Sequence, residues 1–152
     1  MKTIAIGADD AAYAFRDAIT SYLAEQGITV VDYSSDKRPD ANYYPDVAHE
    51  VAMAIKQGEH DRGILICGTG IGMSIVANKV PGIRAAQCHD TFSAERARKS
   101  NNAQIVTLGA RVIAPELGKL IIQAWLDSEY EGGGSAAKVE RIDYYQNQHA
   151  RD

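Results

Sequence analysis

The chain has 152 residues, enough for one domain with a single core, so we expect one domain over residues 1–152. Its hydrophobic content of 45% is ordinary for a globular protein, and no apolar run approaches the roughly 18 residues of a membrane span. The net charge of -4, with no cluster of Lys and Arg among aromatic residues, argues against a nucleic-acid partner.

Five short β-rich runs recur along the chain, and each is followed by a helix-like stretch. The runs are TIAIG (3–7), ITVVDY (28–33), GILIC (63–67), GIRAAQC (82–88) and QIVTLG (104–109). The stretches between them place apolar residues at three- and four-residue spacings, which is typical of amphipathic helices. This alternation predicts an α/β fold in which helices cover both faces of a parallel sheet.

The carboxyl-terminal segment 131–152 begins with EGGG and then becomes helix-like but polar. We interpret it as a C-terminal helical arm that packs on a neighbouring subunit. A frayed tail accounts for its composition equally well.

The amino-terminal sequence MKTIAIGADD lacks the basic region and long apolar core of a leader. The two cysteines, Cys67 and Cys88, each close a different strand-like run, which suits a reducing compartment better than a disulfide framework. We therefore expect a cytoplasmic protein with free thiols.

Two strand-to-helix loops carry side chains suited to chemistry. The first predicted strand ends in GADDA, which contains Asp9 and Asp10, and the third ends at Cys67 followed by GTGIGMS (68–74). Ligands of open parallel sheets bind beyond the carboxyl ends of the strands. The alternating glycines let the backbone approach a ligand so that its N–H groups bind an anion, and a helix start favours the thiolate form of a nearby cysteine.

Three chemistries suit a thiolate beside an anion-binding loop. Cysteine phosphatases need an arginine six positions after the cysteine, where this chain has Met73. Dinucleotide binding needs GxGxxG after the first strand, whereas this loop is GxGxG after the third. Proton transfer fits: the thiolate of Cys67 takes a proton next to a carbonyl, while loop amides and the Thr69 hydroxyl stabilise the enediolate. The alternative for Cys67 is an inert cysteine that ends a core strand.

The sequence resembles the type B ribose-5-phosphate isomerases and the related galactose-6-phosphate isomerase subunits. The resemblance is carried by GADDA (7–11), ILICGTGIGMSIVANKVPGIRA (64–85), SAERARKSNNAQIVTLGARVI (93–113) and YEGG (130–133). It implies a Rossmann-like three-layer α/β/α sandwich on a five-stranded parallel sheet. It further implies a metal-free, cofactor-free aldose–ketose isomerase of sugar phosphates, a homodimer or homotetramer with active sites shared between subunits.

The resemblance also assigns roles to residues. Cys67 matches the base that moves the proton between C1 and C2, Thr69 matches part of the enediolate cradle, and Asp9 matches the carboxylate that contacts sugar hydroxyls and assists ring opening. The residues expected to bind substrate are Asp10, Gly68, Gly70, Ile71, Gly72, Ser74, Asn101, Arg111 and Lys138.

Four positions depart from the pattern of these isomerases. Asp10 stands where members usually carry histidine, and Ser100 replaces the histidine that opens the sugar ring. Gly134 and Lys138 stand where two arginines grip the phosphate. A tetrose 4-phosphate has its O4 esterified and cannot close a furanose, so such a substrate makes Ser100 tolerable.

The departures favour the pair erythrulose 4-phosphate and erythrose 4-phosphate, with ribose 5-phosphate close behind. An unphosphorylated sugar is the alternative in which Asp10 binds hydroxyls; otherwise Asp10 turns away or pairs with Arg111 or Lys138. A hexose-type sugar and a nucleotide-binding module are further alternatives. A nucleotide-binding module should be stabilised by ATP in a thermal-shift experiment, whereas an isomerase should be stabilised by sugar phosphates.

Several aromatic and histidine residues have two interpretations. His49 and His60 are expected to face solvent, whereas His89 either supplies acid–base capacity at the site or contacts Asp90 or a neighbouring loop. Tyr43 and Tyr44 form a lid over the sugar or a packing pair. Trp125 belongs to the core or to a dimer interface.

Overall fold

A single parallel sheet organises the chain. The computed structural model describes residues 3–40 and 43–150. The elements in chain order are β1 Ile4–Ala8, α1 Tyr13–Glu25, β2 Val30–Asp32, α2 Tyr44–Lys56, β3 Arg62–Cys67, α3 Ile71–Ala77, β4 Ala85–Gln87, α4 Thr91–Lys99, β5 Ile105–Gly109, α5 Pro115–Leu126 and α6 Ala136–His149. The strands lie in the order β2-β1-β3-β5-β4, and every neighbouring pair is parallel.

Two apolar cores lie on the two faces of the sheet. On one face, α1 and α5 bury Phe15, Ile19 and Trp125 against Ile6 and Ile64. On the other face, α2 and α3 pack against side chains from the same strands. Alternate side chains of a strand point to opposite faces, and parallel strands buried on both faces have the near-continuous apolar sequences found here. The predicted Rossmann-like α/β/α sandwich is confirmed.

The two outermost strands are shorter than their sequence predicts. The runs 28–33 and 82–88 yield strands of only three residues each, Val30–Asp32 and Ala85–Gln87. Each of these strands pairs with one neighbour only, so fewer hydrogen bonds hold its backbone in the extended conformation. The three inner strands match their predicted runs to within one residue.

The segment predicted to be a C-terminal arm contains helix α6, so the frayed-tail alternative is wrong for residues 136–149. The helix contacts the chain near the start of β4, where Gln146 Oε1 accepts a hydrogen bond from the Gly82 N–H at 2.9 Å. Asp143 lies 3.8 Å from Arg84 in the same region.

Two side chains resolve alternatives from the sequence. Trp125 is fully buried in the core, where its indole N–H donates to Ala103 O at 3.3 Å. The prediction that His60 faces solvent is wrong, because its ring is 5% exposed. Thr3 Oγ1 lies 2.8 Å from one ring nitrogen and Tyr33 Oη lies 2.9 Å from the other, and these polar partners compensate its burial.

No helix in the described ranges is both long and apolar enough to cross a membrane.

Candidate active site

The candidate site lies where β1 and β3 are neighbours in the sheet. The chain leaves β1 for the outer strand β2, and it leaves β3 toward the opposite side of the sheet. Such a change of direction opens a crevice at the carboxyl ends of the strands. Asp9 follows β1 and Cys67 ends β3, and the Asp9 N–H donates to Ile66 O at 3.3 Å. The topology therefore brings both predicted catalytic groups to one edge of the sheet.

The Cys67 sulfur is held by the loop that follows it. Cys67 is 6% exposed, and its Sγ accepts a hydrogen bond from the Gly70 N–H at 3.1 Å. Gly70 has φ +78°, a left-handed conformation that favours glycine. The Ile71 N–H donates to Thr69 Oγ1 at 3.2 Å, which leaves the Thr69 hydroxyl proton free to donate. Two of the amides expected to cradle the substrate thus orient Cys67 and Thr69.

Strand β5 holds the same loop from behind. The buried Thr107 hydroxyl donates to Gly70 O at 2.8 Å, and the Ala110 N–H donates to Cys67 O at 2.9 Å. A Cβ on Gly70 would lie 2.9 Å from the carbonyl carbon of Leu108, so only glycine fits between the loop and the strand. These contacts give the loop a fixed geometry.

Arg111 lies against the glycine loop. Its N–H donates to Gly68 O at 3.0 Å, and its side chain lies over Gly68. Burial raises the pKa of Asp9, and the negative charge of Asp10 raises it further. The hydrogen bond from the Ala11 N–H to Asp9 Oδ1 and the positive charge of Arg111 lower this pKa, but the net change is upward. Asp9 is thus a carboxyl group suited to exchanging protons with a hydroxyl.

A cleft of about 530 Å³ opens beside Asp9. The residues that line it are Asp9, Asp10, Tyr13, Ser35, Pro39, Tyr43 and Tyr44. Among the residues that the structure describes, Asp10 forms no ion pair with Arg111 or Lys138 within one protomer. The Tyr44 ring packs where a Cβ on Gly72 would otherwise lie, which supports the packing interpretation for Tyr44. Tyr43 is 74% exposed.

The far side of the loop forms a second, shallower groove. Ser74 lies there on α3, with its Oγ 3.5 Å from Ala85 O, and Ile71 is 52% exposed. The groove is lined by Ile71, Ser74, Ile75, Asn78, Lys79 and Gln87.

Two polar residues at the carboxyl end of β4 contact the loop framework. The sequence did not single out Gln87, and for His89 it offered contact with a neighbouring loop as one alternative. Gln87 Nε2 donates to Thr69 O at 2.8 Å, and the Gly109 N–H donates to His89 Nε2 at 2.9 Å. Burial lowers the pKa of His89, against a smaller opposing effect of Asp90. Of the two alternatives for His89, the contact is with a neighbouring loop. The available signal was the position of both residues at the carboxyl end of a strand.

Asn101 and Lys138 are not brought to this edge within one protomer. Asn101 follows α4, which runs back toward the amino ends of the strands, and the adjacent Asn102 O accepts from Arg84 Nε at 2.9 Å. Lys138 lies on α6, whose contacts at Gly82 and Arg84 are at the same amino edge. In a single chain Asn101 therefore lies toward the end of the sheet opposite Cys67, and Lys138 lies on a helix that contacts that same end.

A metal cluster is not evident in the described ranges, which hold no group of three or more His, Cys, Asp or Glu side chains suited to an ion. Both cysteines are free thiols, as expected. Burial raises the pKa of Cys88 to about 12, so the two thiols differ in their surroundings.

A family model described as Ribose/Galactose Isomerase matches residues 4–142. The chain belongs to the ribose/galactose isomerase family. The glycine loop, Asp9 and Arg111 all lie in the sequence segments that carried the resemblance to this family. The fold that the resemblance implied is the fold of this chain.

Members of the ribose/galactose isomerase family align with nearly the whole chain. The D-erythrulose-4-phosphate isomerase of Pectobacterium atrosepticum is 67% identical over 148 residues, 97% of each chain. The ribose-5-phosphate isomerase B of Escherichia coli is 44% identical over 144 residues, covering 93% of this chain and 95% of that protein. The structure of Clostridium thermocellum ribose-5-phosphate isomerase B superposes with a TM-score of 0.92 at 42% identity, covering 99% of this chain and 100% of the other.

Proposed function

We propose that this chain is a cofactor-independent aldose–ketose isomerase that interconverts D-erythrulose 4-phosphate and D-erythrose 4-phosphate through an enediolate. The observation that carries the reaction is the Gly70 N–H hydrogen bond to Cys67 Sγ, at the sheet edge that also holds Thr69 and Asp9. The four-carbon substrate is supported by Ser100 and by 67% identity to a D-erythrulose-4-phosphate isomerase.

Cys67 is the proposed base. Its thiolate removes a proton from C1 of the ketose and returns it to C2, while the O1 hydroxyl loses a proton and O2 gains one, which gives the aldose. The Gly70 N–H stabilises negative charge on Sγ and fixes the direction of the sulfur lone pairs. Low exposure of the thiol keeps competing water away from the reacting carbon.

Thr69 and the remaining loop amides are the proposed cradle of the enediolate. Because Thr69 Oγ1 accepts the Ile71 N–H, its own proton points away from that amide and is available to a substrate oxygen. Donors fixed before reaction stabilise the developing charge without a cost of reorganisation. The loop contacts from Thr107 and Ala110 supply that rigidity.

Asp9 and Arg111 are proposed to orient the two ends of the substrate. Burial raises the pKa of Asp9, which suits a group that exchanges protons with sugar hydroxyls. Arg111 lies over the opposite side of the loop at Gly68 and favours the phosphate. Asp10 is exposed in the cleft beside Asp9. Its negative charge repels a phosphate there, so the hydroxyl end of the ligand is expected to enter this cleft and the phosphate to point away from it.

The complete site is proposed to form between two copies of the chain. Asn101 and Lys138 lie at the amino edge of one protomer, and a second protomer in a homodimer or homotetramer would supply them to the Cys67 loop of the first. The free thiols support action in the cytoplasm. Residues 1–152 act in this proposal as one domain.

Ribose 5-phosphate is the second candidate substrate, supported by 44% identity to an Escherichia coli ribose-5-phosphate isomerase B. The two are separated by proton NMR in D2O, with the protein incubated separately with D-erythrulose 4-phosphate and ribose 5-phosphate. We expect faster deuterium entry at the exchanging carbon of the tetrulose phosphate. Faster exchange with ribose 5-phosphate would assign the pentose, and spectra that show neither deuterium entry nor formation of the isomer from either sugar phosphate would overturn the proposed function.

A further inference from the structure

The carboxyl end of β4 supplies two side chains that hold the loops around Cys67. Gln87 Nε2 donates to Thr69 O at 2.8 Å, which holds the glycine loop. His89 Nε2 accepts the Gly109 N–H at 2.9 Å, which holds the end of β5. Neither side chain belongs to the two loops themselves. The edge strand therefore fixes both loops from outside.

Gly109 is the junction between these loops. It lies opposite Cys67 in the β3–β5 pairing, and a Cβ on it would lie 2.6 Å from Thr69 Cα. Its carbonyl accepts the Val112 N–H at 3.0 Å and so begins the turn that carries Arg111. A shift of Gly109 would displace the backbone of Thr69 and the base of Arg111 together.

The hydrogen bond from Gly109 requires an unprotonated Nε2, because the amide is the donor. The neutral ring then carries its proton on Nδ1. Asp90 is the charged neighbour of His89 in the same loop, and Cys67 and Arg111 lie in the two segments next to Gly109, at the end of β3 and after β5. Burial lowers the pKa of His89, and the negative charge of Asp90 opposes this.

We propose that His89 is a positioning residue for the isomerase reaction: its neutral imidazole fixes Gly109, and through it Thr69 and Arg111, and protonation releases this hold. The inference rests on the proposed function for its kinetic consequence only. The hold on Gly109 is a property of the folded chain and is measured without substrate. His89 is thereby distinct from Cys67, Thr69 and Asp9, which are proposed to touch the sugar.

The hold is tested first by NMR of the ligand-free protein. The Gly109 amide resonance should move with pH together with the His89 ring nitrogens, and this movement should be absent in His89→Gln. Gln can offer its Oε1 to the Gly109 N–H but does not titrate. A Gly109 amide that stays fixed while His89 protonates would overturn the proposal.

Kinetics with D-erythrulose 4-phosphate and ribose 5-phosphate test the consequence. At pH 8, His89→Leu should lower kcat by about 10- to 100-fold, because the Gly109 amide loses its acceptor, with a smaller change in KM. His89→Gln should keep kcat within about three-fold of the parent value. The acid limb of the pH profile, which is the fall in kcat at low pH caused by protonation of His89, should be absent in this variant. His49→Gln, at an exposed histidine of α2, is the matched control and should behave as the parent protein.

The outcomes separate the two proposals. Unchanged kcat in His89→Leu, or an unchanged acid limb in His89→Gln, would overturn the role of His89. A Gly109 amide that titrates with His89 in a protein that turns over neither sugar phosphate would overturn the proposed function and leave the hold on Gly109 established. Equal thermal stability of the Gln and parent proteins ensures that a lost acid limb reflects titration and not unfolding.

Discussion

Arg96 donates two hydrogen bonds to Ser100 Oγ, from Nε at 2.9 Å and from Nη2 at 2.5 Å. Ser100 is the residue that the sequence resemblance places where a ring-opening histidine is expected. Its oxygen is engaged as an acceptor by a permanent cation, and a hydroxyl held in this way does not serve as a base near neutral pH. The Arg96–Ser100 pair therefore fits a substrate that binds in its open-chain form, with a free carbonyl group.

Ser100→His tests this relationship. We expect turnover of ribose 5-phosphate to increase by at least about 10-fold, because an added acid–base group opens the furanose ring. Turnover of D-erythrulose 4-phosphate should change little. Both are measured by deuterium entry in D2O, with Ser21→His on an exposed position of α1 as the control. Equal changes with the two substrates would remove the reason for preferring four carbons.

Cys67→Ala tests the proposed base. The substitution should lower proton exchange by about 10²- to 10⁴-fold, the contribution typical of general base catalysis, while the fold and assembly persist. Exchange in D2O and gel filtration measure the two properties. Cys88→Ala is the matched control, because Cys88 is buried in the other core and its pKa is raised to about 12. Turnover equal to the parent in Cys67→Ala would exclude the mechanism.

Arg16→Met tests a buried cation that joins α1 to the loop after β2. Arg16 is 3% exposed and lies 2.5 Å from Asp36 and 3.5 Å from Asp32. We expect the free energy of unfolding in urea at pH 7 to fall by about 2 to 4 kcal/mol. Arg38→Met, which breaks a pair with Glu50 at the surface, should cost less than about 1 kcal/mol.

The same pair predicts a pH dependence. The Arg16 guanidinium lowers the pKa of Asp36 below its ordinary value in the folded state. The stability it contributes is therefore complete above the ordinary carboxyl pKa of about 4 and is lost as pH falls through the lowered value. The difference between the parent and Arg16→Met should stay constant from pH 6 down to about 4 and shrink as the pH falls further. A difference that also stays constant below that pH would contradict the assignment.

Gly109→Ala tests the packing of β5 against the glycine loop. The added Cβ would lie 2.6 Å from Thr69 Cα, and backbone on both sides cannot move freely. Overpacking of this kind should cost about 1 to 3 kcal/mol of unfolding free energy and also lower kcat. Gly134→Ala meets no atom within 4 Å and should leave stability unchanged, as thermal melts would show.

The sequence predicted the inner strands, with Asp9 after the first and Cys67 at the end of the third, because continuous apolar runs are local signals. It failed at β2 and β4, whose length depends on one neighbour rather than on composition. It also failed at His60, where the partners Thr3 and Tyr33 come from distant parts of the chain. A polar residue that is buried by contacts with distant parts of the chain does not alter the hydrophobic periodicity of its own segment, so the sequence does not indicate its burial.

The sequence offered contact with a neighbouring loop as one alternative for His89, but it indicated neither the partner of His89 nor any contact of Gln87, for a related reason. Both residues bond to backbone atoms of other loops, and a backbone partner carries no residue identity that a pattern could show. Asn101 and Lys138 illustrate the opposite case. Their roles followed from resemblance, yet the fold of one chain places them at the edge remote from Cys67.

With sites shared between two copies, as proposed, that separation would let two inactive chains restore each other. In a symmetric dimer with shared sites, a Cys67→Ala chain paired with an Asn101→Ala chain has both lesions in one site and none in the other. Random exchange of equal amounts should therefore recover about a quarter of parent turnover from two proteins that have almost none alone. A cell carrying both alleles would show complementation that neither allele alone predicts.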